Sequence, residues 1–313
     1  MPSVGRAIFA RDQGSVKTAR RRHDDGVPDP TVRSVCKTPT MSSLSASGQI
    51  EPADPVRVEI TGAVATVTVA RPDQANSLTT AAKEALLAAL EQVAGEEAVR
   101  AVVLTGSGRA FCAGQDLAEH ATALAADPAH AFDTVSAHYN PIVQSLSTMP
   151  KPVIAAINGT CAGAGIGFAL ACDLRVAASG AKFAPAFTGI GLTADSGLSA
   201  TLPRAIGWSR AMGLLLLGTV IDADEALRIG LVHEVVAPDE LAARVAALAE
   251  RLAAGPTKAF VALKEALWYS ASARLADVLQ LEAELQKRLA STADHQAAVQ
   301  AFLEKRRPDF TGS

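Results

Sequence analysis

Residues 151–178, KPVIAAINGTCAGAGIGFALACDLRVAA, decide the fold. Lys151 and Pro152 open onto VIAAI, a short apolar run of the kind that forms a fully buried strand. Asn158-Gly159 breaks it, a glycine-rich stretch follows, and FALAC then reads as a helix. Asp173 ends the apolar run, and DLRVAAS starts another strand. Positions 153–172 are nearly apolar and contain Gly159xxxGly163 and Gly163xxxGly167, so a membrane span is the first rival. Asn158 and Thr160 interrupt it, Asp173 and Arg175 end it, and no other run reaches that length. A dinucleotide fingerprint is the second rival, but Phe168 sits where GxGxxG needs its third glycine. No acidic residue lies about 20 positions further on either. A buried strand, glycine turn and helix remain.

Working outward, RAVVLTG (100–106) is another buried strand, followed by the glycine loop Gly106-Ser-Gly-Arg-Ala-Phe-Cys-Ala-Gly-Gln-Asp-Leu117. VRVEI (56–60) and AVATVTVA (63–70) flank Thr61-Gly62 and read as a hairpin. Thr79 or Thr80 is placed to cap the helix AAKEALLAALEQVAG, with Gly95 at its end. Strands separated by helical stretches imply α/β units with mainly parallel pairing. After Ile221 the chain reads as almost wholly helical to Arg307, with a helical end-piece from 255 to 313 behind a core over 55–254.

Composition removes whole classes of function. Of 313 residues, 49% are hydrophobic, and 29 basic face 32 acidic side chains, a net charge of −3 that gives no reason to expect nucleic-acid binding. Cys36, Cys112, Cys161 and Cys172 form no CxxC pair, which argues against a disulfide framework and a cysteine-rich zinc site. No HExxH or GxSxG is present, so no metal site and no nucleophile elbow is expected. Residues 1–40 carry a charge of +4 against −7 for the remainder, without the apolar core of a secretory signal. The stretch 1–54 reads as a disordered extension, either an over-long start or a basic arm.

The two glycine loops carry the chemistry. Small residues let backbone N–H groups approach a ligand, and a helix start adds the positive end of its dipole. Two such N–H groups converging on one carbonyl oxygen stabilise an enolate or tetrahedral anion.

RPDQANSL (71–78), VVLTGSGRAFCAGQDL (102–117), residues 151–178 and LPRAIGWSRAMGLLLLGTVIDADEALRIGLVHEVV (202–236), in this order, resemble the crotonase (enoyl-CoA hydratase/isomerase) family over residues 55–305. The resemblance implies a spiral of ββα repeats, with C-terminal helices that assemble trimers or hexamers. It implies an acyl-CoA substrate, with coenzyme A as part of the thioester and no permanently bound cofactor. It also implies a cytoplasmic enzyme of the fatty-acid type that binds neither nucleic acid nor membrane. By position, Gln115 and Ala164 supply the oxyanion N–H donors. Ala75, Ala113, Asp116 and Leu117 cradle coenzyme A, and Arg71 and Lys264 meet its phosphates.

The departures from the family pattern are informative. The two glutamates of the hydratases correspond to Gly167 and Phe187, which cannot move protons. Asp195 survives, at the position of the catalytic carboxylate in dienoyl-CoA isomerases and epoxyphenylacetyl-CoA isomerases, and of the nucleophile in 4-chlorobenzoyl-CoA dehalogenases. The dehalogenase histidine would fall near Asn140, with His138 displaced from it. Asp195 is therefore read as the acid/base of an isomerase, against the alternative that it caps the next helix. Gly167, Phe187 and His120 are placed at the acyl pocket; His120 and Glu119 also suit a solvated helix face. A hydratase with non-standard water activation and an inert acyl-CoA-binding homologue are the alternatives.

Overall fold

The computed structural model describes residues 54–313, so the reading of the N-terminal extension lies outside the described residues except for Asp54. The hairpin forms as expected: β1 (Val56–Thr61) and β2 (Val64–Val69) pair antiparallel, Val58 opposite Val67. The chain then enters α1 (Thr80–Gly95), and Thr79 rather than Thr80 is its cap, accepting from the Ala82 N–H at 3.3 Å. β3 (Ala101–Gly106), β4 (Ala110–Cys112), α2 (Leu117–Ala126) and α3 (Asn140–Thr148) follow. Next come β5 (Val153–Ile157), β6 (Thr160–Ala162), α4 (Ala164–Ala171), β7 (Leu174–Ala178) and β8 (Lys182–Ala184). α5 (Leu198–Ile206), α6 (Trp208–Leu217), β9 (Ile221–Asp222), α7 (Ala223–Ile229) and β10 (Glu234–Val236) lead to the last helices. These are α8 (Leu241–Ala253), α9 (Thr257–Ser270), α10 (Leu275–Ala290) and α11 (Ala293–Leu303).

Two sheets organise the chain. The larger has strand order β1-β2-β3-β5-β7-β10, parallel from β2 onward. The smaller has order β4-β6-β8-β9. From β3 to β8 each repeat places its first strand in the large sheet and its second in the small one, then closes with a helix. This is a ββα spiral. Because side chains alternate along a strand, each strand of the large sheet feeds two cores. Val102, Leu104, Ala155 and Ile157 face one way, with Leu86 and Leu90 of α1 in the same cluster. Ala101, Val103, Ile154 and Ala156 face the other, against Leu241, Val245 and Ala249 of α8.

The stretch after Ile221 is mainly helical, and β10 within it pairs parallel with β7 and completes the large sheet. His233 precedes that strand, and its Nδ1 accepts from the Arg175 N–H at 3.1 Å. No helix among the described residues is long and apolar enough to cross a membrane.

Candidate active site

The second glycine loop delivers its backbone through α4. Gly163 has φ +51, and Ala164 begins a helix whose eight residues are all buried. First-turn N–H groups have no intrahelical acceptor, and that of Ala164 has no protein partner among the described residues. The first loop meets it at Gly114, where φ is +84 and a Cβ would lie 3.1 Å from the Ala162 carbonyl oxygen. That close approach brings the 114–115 backbone beside the start of α4. Leu78 bridges this strand-like segment on both sides, donating to the Gly114 carbonyl at 2.8 Å and accepting from the Asp116 N–H at 3.2 Å. The Gln115 N–H between them has no protein acceptor among the described residues, and Gln115 and Ala164 both line one cavity.

The cavity has a volume of about 350 Å³, within the range of small-molecule sites. Leu117, Phe132, Phe187, Ile190 and Leu192 make its walls apolar. Among the described lining residues Asp195 is the single carboxylate. Burial raises its pKa, opposed by a hydrogen bond from the Ser196 hydroxyl and by the Lys83 charge. The Ser196 Oγ donates to Asp195 Oδ1 at 2.8 Å. The capping alternative fails: the residue before α5 is Gly197, no side chain caps that helix, and Asp195 contributes only its backbone carbonyl, to the Leu198 N–H.

The remaining sequence-derived residues divide. Ala113, Leu117, His120 and Phe187 line the cavity together with Gln115, Ala164 and Asp195. The His120 ring meets Phe132 edge-on, centroids 4.9 Å apart, so its helix face is turned inward rather than solvated. Gly167 does not reach the cavity. A Cβ there would lie 2.5 Å from the Ser196 carbonyl oxygen and 2.6 Å from the Ser196 Cβ, so the position seats the turn that carries Asp195. Arg71 turns its Nη1 to the loop itself: it pairs with Asp116 at 3.2 Å and donates to the Ser77 carbonyl and hydroxyl. Asp116 also caps α2 through the Glu119 N–H, which together with Arg71 holds its pKa down. Ala75 is left-handed, at φ 50, and its carbonyl accepts from the Ala113 N–H. Lys264 lies in a different depression, held by Asp173 at 2.8 Å and by the carbonyls of Met149 and Lys151. Its ammonium has no donor left for a phosphate. No three His, Cys, Asp or Glu side chains cluster as metal ligands among the described residues.

Residues 59–313 match the family described as Enoyl-CoA hydratase/isomerase. The chain belongs to the enoyl-CoA hydratase/isomerase family. Its fold is the crotonase fold. A Rhodobacter capsulatus relative described as a probable enoyl-CoA hydratase is 45% identical, covering 82% of this chain and 98% of its own length. The 1,2-epoxyphenylacetyl-CoA isomerase of Escherichia coli K12 is 40% identical, over 80% of this chain and 95% of its own. A solved structure from Mycobacterium abscessus, described as an enoyl-CoA hydratase/isomerase, superposes with a TM-score of 0.79 at 52% identity, covering 82% of this chain and all of that one.

Sequence reasoning missed a polar cluster behind the family's glycine loops. Lys83 of α1 is 1% exposed, and its Nζ donates to Gln115 Oε1 at 3.1 Å and Thr134 Oγ1 at 2.6 Å. The Tyr139 hydroxyl donates to the same Gln115 oxygen at 2.5 Å. A signal was available: Lys83 lies three and seven residues before Leu86 and Leu90, on the buried stripe of α1.

Proposed function

We propose that this enzyme binds an unsaturated acyl-CoA and moves its double bond, with Asp195 carrying the proton. The Asp195 carboxylate takes a proton from the carbon α or γ to the thioester carbonyl. The electron pair shifts onto the thioester oxygen, giving an enolate that accepts hydrogen bonds from the Gln115 and Ala164 N–H groups. Return of the proton at the other carbon completes an isomerisation with no net change in atoms. The observation that supports this is one cavity lined by a single half-buried carboxylate and by Gln115 and Ala164, whose N–H groups have no protein acceptor among the described residues. The isomerase description of the Escherichia coli relative supports the same direction.

The cavity's size suits the acyl group and thioester but not a whole coenzyme A, so the nucleotide must lie outside it, along Ala75, Ala113 and Leu117. Self-association as a trimer or hexamer through the C-terminal helices is part of the reading, supported by the exposed Leu263, Leu267, Leu275 and Phe302. A cytoplasmic location accords with the free thiols of Cys112, Cys161 and Cys172.

The test is conversion of trans-3-hexenoyl-CoA to the 2-enoyl thioester by wild type and Asp195→Asn. Loss of the proton carrier should lower kcat by about 10²-fold or more; unchanged turnover refutes the reading. Hydration through Asp195 and a second group such as His120 is supported by the Rhodobacter relative's description. Faster formation of 3-hydroxyacyl-CoA than of the isomer would favour it. Binding without turnover of enoyl, dienoyl or aryl thioesters would instead mark an inert binding protein.

A further inference from the structure

A lysine buried to 1% exposure in a helix that packs on a hydrophobic core needs a reason. Methionine has the same reach without the desolvation cost, which for an ion is several kcal/mol even after relaxation. Burial lowers the Lys83 pKa, and the groups around it oppose that by favouring charge. Two of its N–H groups meet Gln115 Oε1 and Thr134 Oγ1, and the ammonium lies 5.1 Å from the centroid of the Tyr139 ring. The ionisable groups around it are Glu84 on its own helix, Asp116 and Glu119 at the start of α2, Tyr139 ahead of α3, and Asp195 ahead of α5. Thr134 Oγ1 also lies 3.0 Å from His138 Nδ1, whose other nitrogen is 3.8 Å from Glu84. Of the carboxylates, Asp195 alone lines the cavity.

Gln115 gains most from this arrangement. Its side-chain oxygen accepts from both Lys83 and Tyr139, while its neighbours Gly114 and Asp116 are bridged to Leu78. A residue tied at its side chain and on both flanks has little freedom to turn its backbone in the cavity wall. The same ammonium is the positive charge that acts on Asp195, and a charge this buried is screened less than one in open water.

We infer that Lys83 is a positioning residue for this site, its ammonium anchoring Gln115 and Thr134 and holding a positive charge behind the cavity that Asp195 lines. This rests on the reading of Asp195 as the proton carrier. Burial alone pushes that carboxyl toward its neutral form, which is no base; the lysine opposes that push. Lys83 itself does not line the cavity.

The test separates charge from anchoring with two variants. Lys83→Gln keeps a donor toward Thr134 but removes the charge; Lys83→Met removes both and suits the apolar stripe of α1. The first readout needs no substrate: titration of the Asp195 13Cγ resonance, assigned by its absence in Asp195→Asn. Both variants should raise the midpoint by about half a pH unit or more. The second is α-proton exchange of hexanoyl-CoA in D2O, where the base-dependent limb should move up in both variants and Lys83→Met should lose about tenfold or more in rate. An Asp195 midpoint unmoved in both variants overturns the inference, as does a rate loss equal at every pH. Undiminished exchange in Asp195→Asn refutes the proton-carrier reading instead, while the titration still judges Lys83.

Discussion

Replacing Gly167 by alanine adds one methyl group in the middle of α4, and helix propensity alone favours it by about 1 kcal/mol. The local geometry opposes it more strongly. The new Cβ would lie 2.5 Å from the Ser196 carbonyl oxygen and 2.6 Å from the Ser196 Cβ. Neither atom can swing aside: one is backbone, and the other belongs to a residue at φ +51 that is itself buried. The helix cannot withdraw either, because all eight of its residues are buried. Overpacking typically costs about 1–3 kcal/mol, and contacts this short against backbone belong at the upper end. Set against the propensity gain, the net loss is about 1–2 kcal/mol. Function should suffer further. Ser196 Oγ holds Asp195 Oδ1, so a displaced Ser196 carries the carboxyl with it. A misplacement of about 1 Å costs on the order of 10²-fold in rate.

Guanidinium unfolding at fixed protein concentration reads the first quantity, as a lower midpoint at unchanged slope. Turnover of trans-3-hexenoyl-CoA reads the second. A Gly167→Ala midpoint at or above that of wild type would refute the packing argument outright. A lower midpoint with full kcat would show that the Ser196 turn yields without moving Asp195.

Two further outcomes follow from the charges. Burial holds the Asp195 pKa above its unfolded value of about 3.9, so the folded state binds this proton more tightly than the unfolded chain. Its contribution to stability therefore falls as pH rises between the two pKa values, and the full cost is present above the folded one. Asp195→Asn should then be more stable than wild type at pH 7, the gain vanishing below about pH 4, as read by unfolding midpoints across that range; equal stability at both ends would contradict the desolvated placement. Lys264→Met should cost about 2–3 kcal/mol, below the 3–5 of a fully buried broken pair, because Asp173 loses its cation and two carbonyls lose their donor. Equilibrium binding of free coenzyme A should be unaffected, and weakened binding in a variant of normal stability would restore Lys264 to the ligand.

The loops were legible because backbone chemistry leaves a compositional trace. An N–H aimed at a ligand demands small residues around it, and Gly114, Gly163 and Ala164 advertise that demand in one dimension. The large sheet was legible for a similar reason, its strands being five or six residues long from β1 to β7. The small sheet was not. Its strands run two or three residues, as in Lys182–Ala184 and Ile221–Asp222, too short for any alternation to register. Lys83 escaped for a different reason: within AAKEALLAAL a lysine is read as solvated unless its phase against Leu86 and Leu90 is followed. The ion pairs that Arg71 and Lys264 form join them to partners distant in sequence, Asp116 and Asp173, which no local pattern foretells.

Gly167 and Asp195 are coupled through the Ser196 turn. The glycine leaves room for the Ser196 backbone to lie directly on α4, and that contact sets the turn from which Asp195 enters the cavity wall. Any side chain at 167, acidic or not, must displace that turn. Phe187 acts at the opposite edge, its ring 3.9 Å from where a Cβ on Gly163 would stand, adding apolar surface beside the start of α4. The glycine thus seats the turn that carries Asp195, and the phenylalanine adds apolar surface to the same cavity. Drying makes a carboxylate a stronger base but also less ionised. A site built this way therefore needs a compensating cation behind its wall, and Lys83 is the buried cation that acts on Asp195.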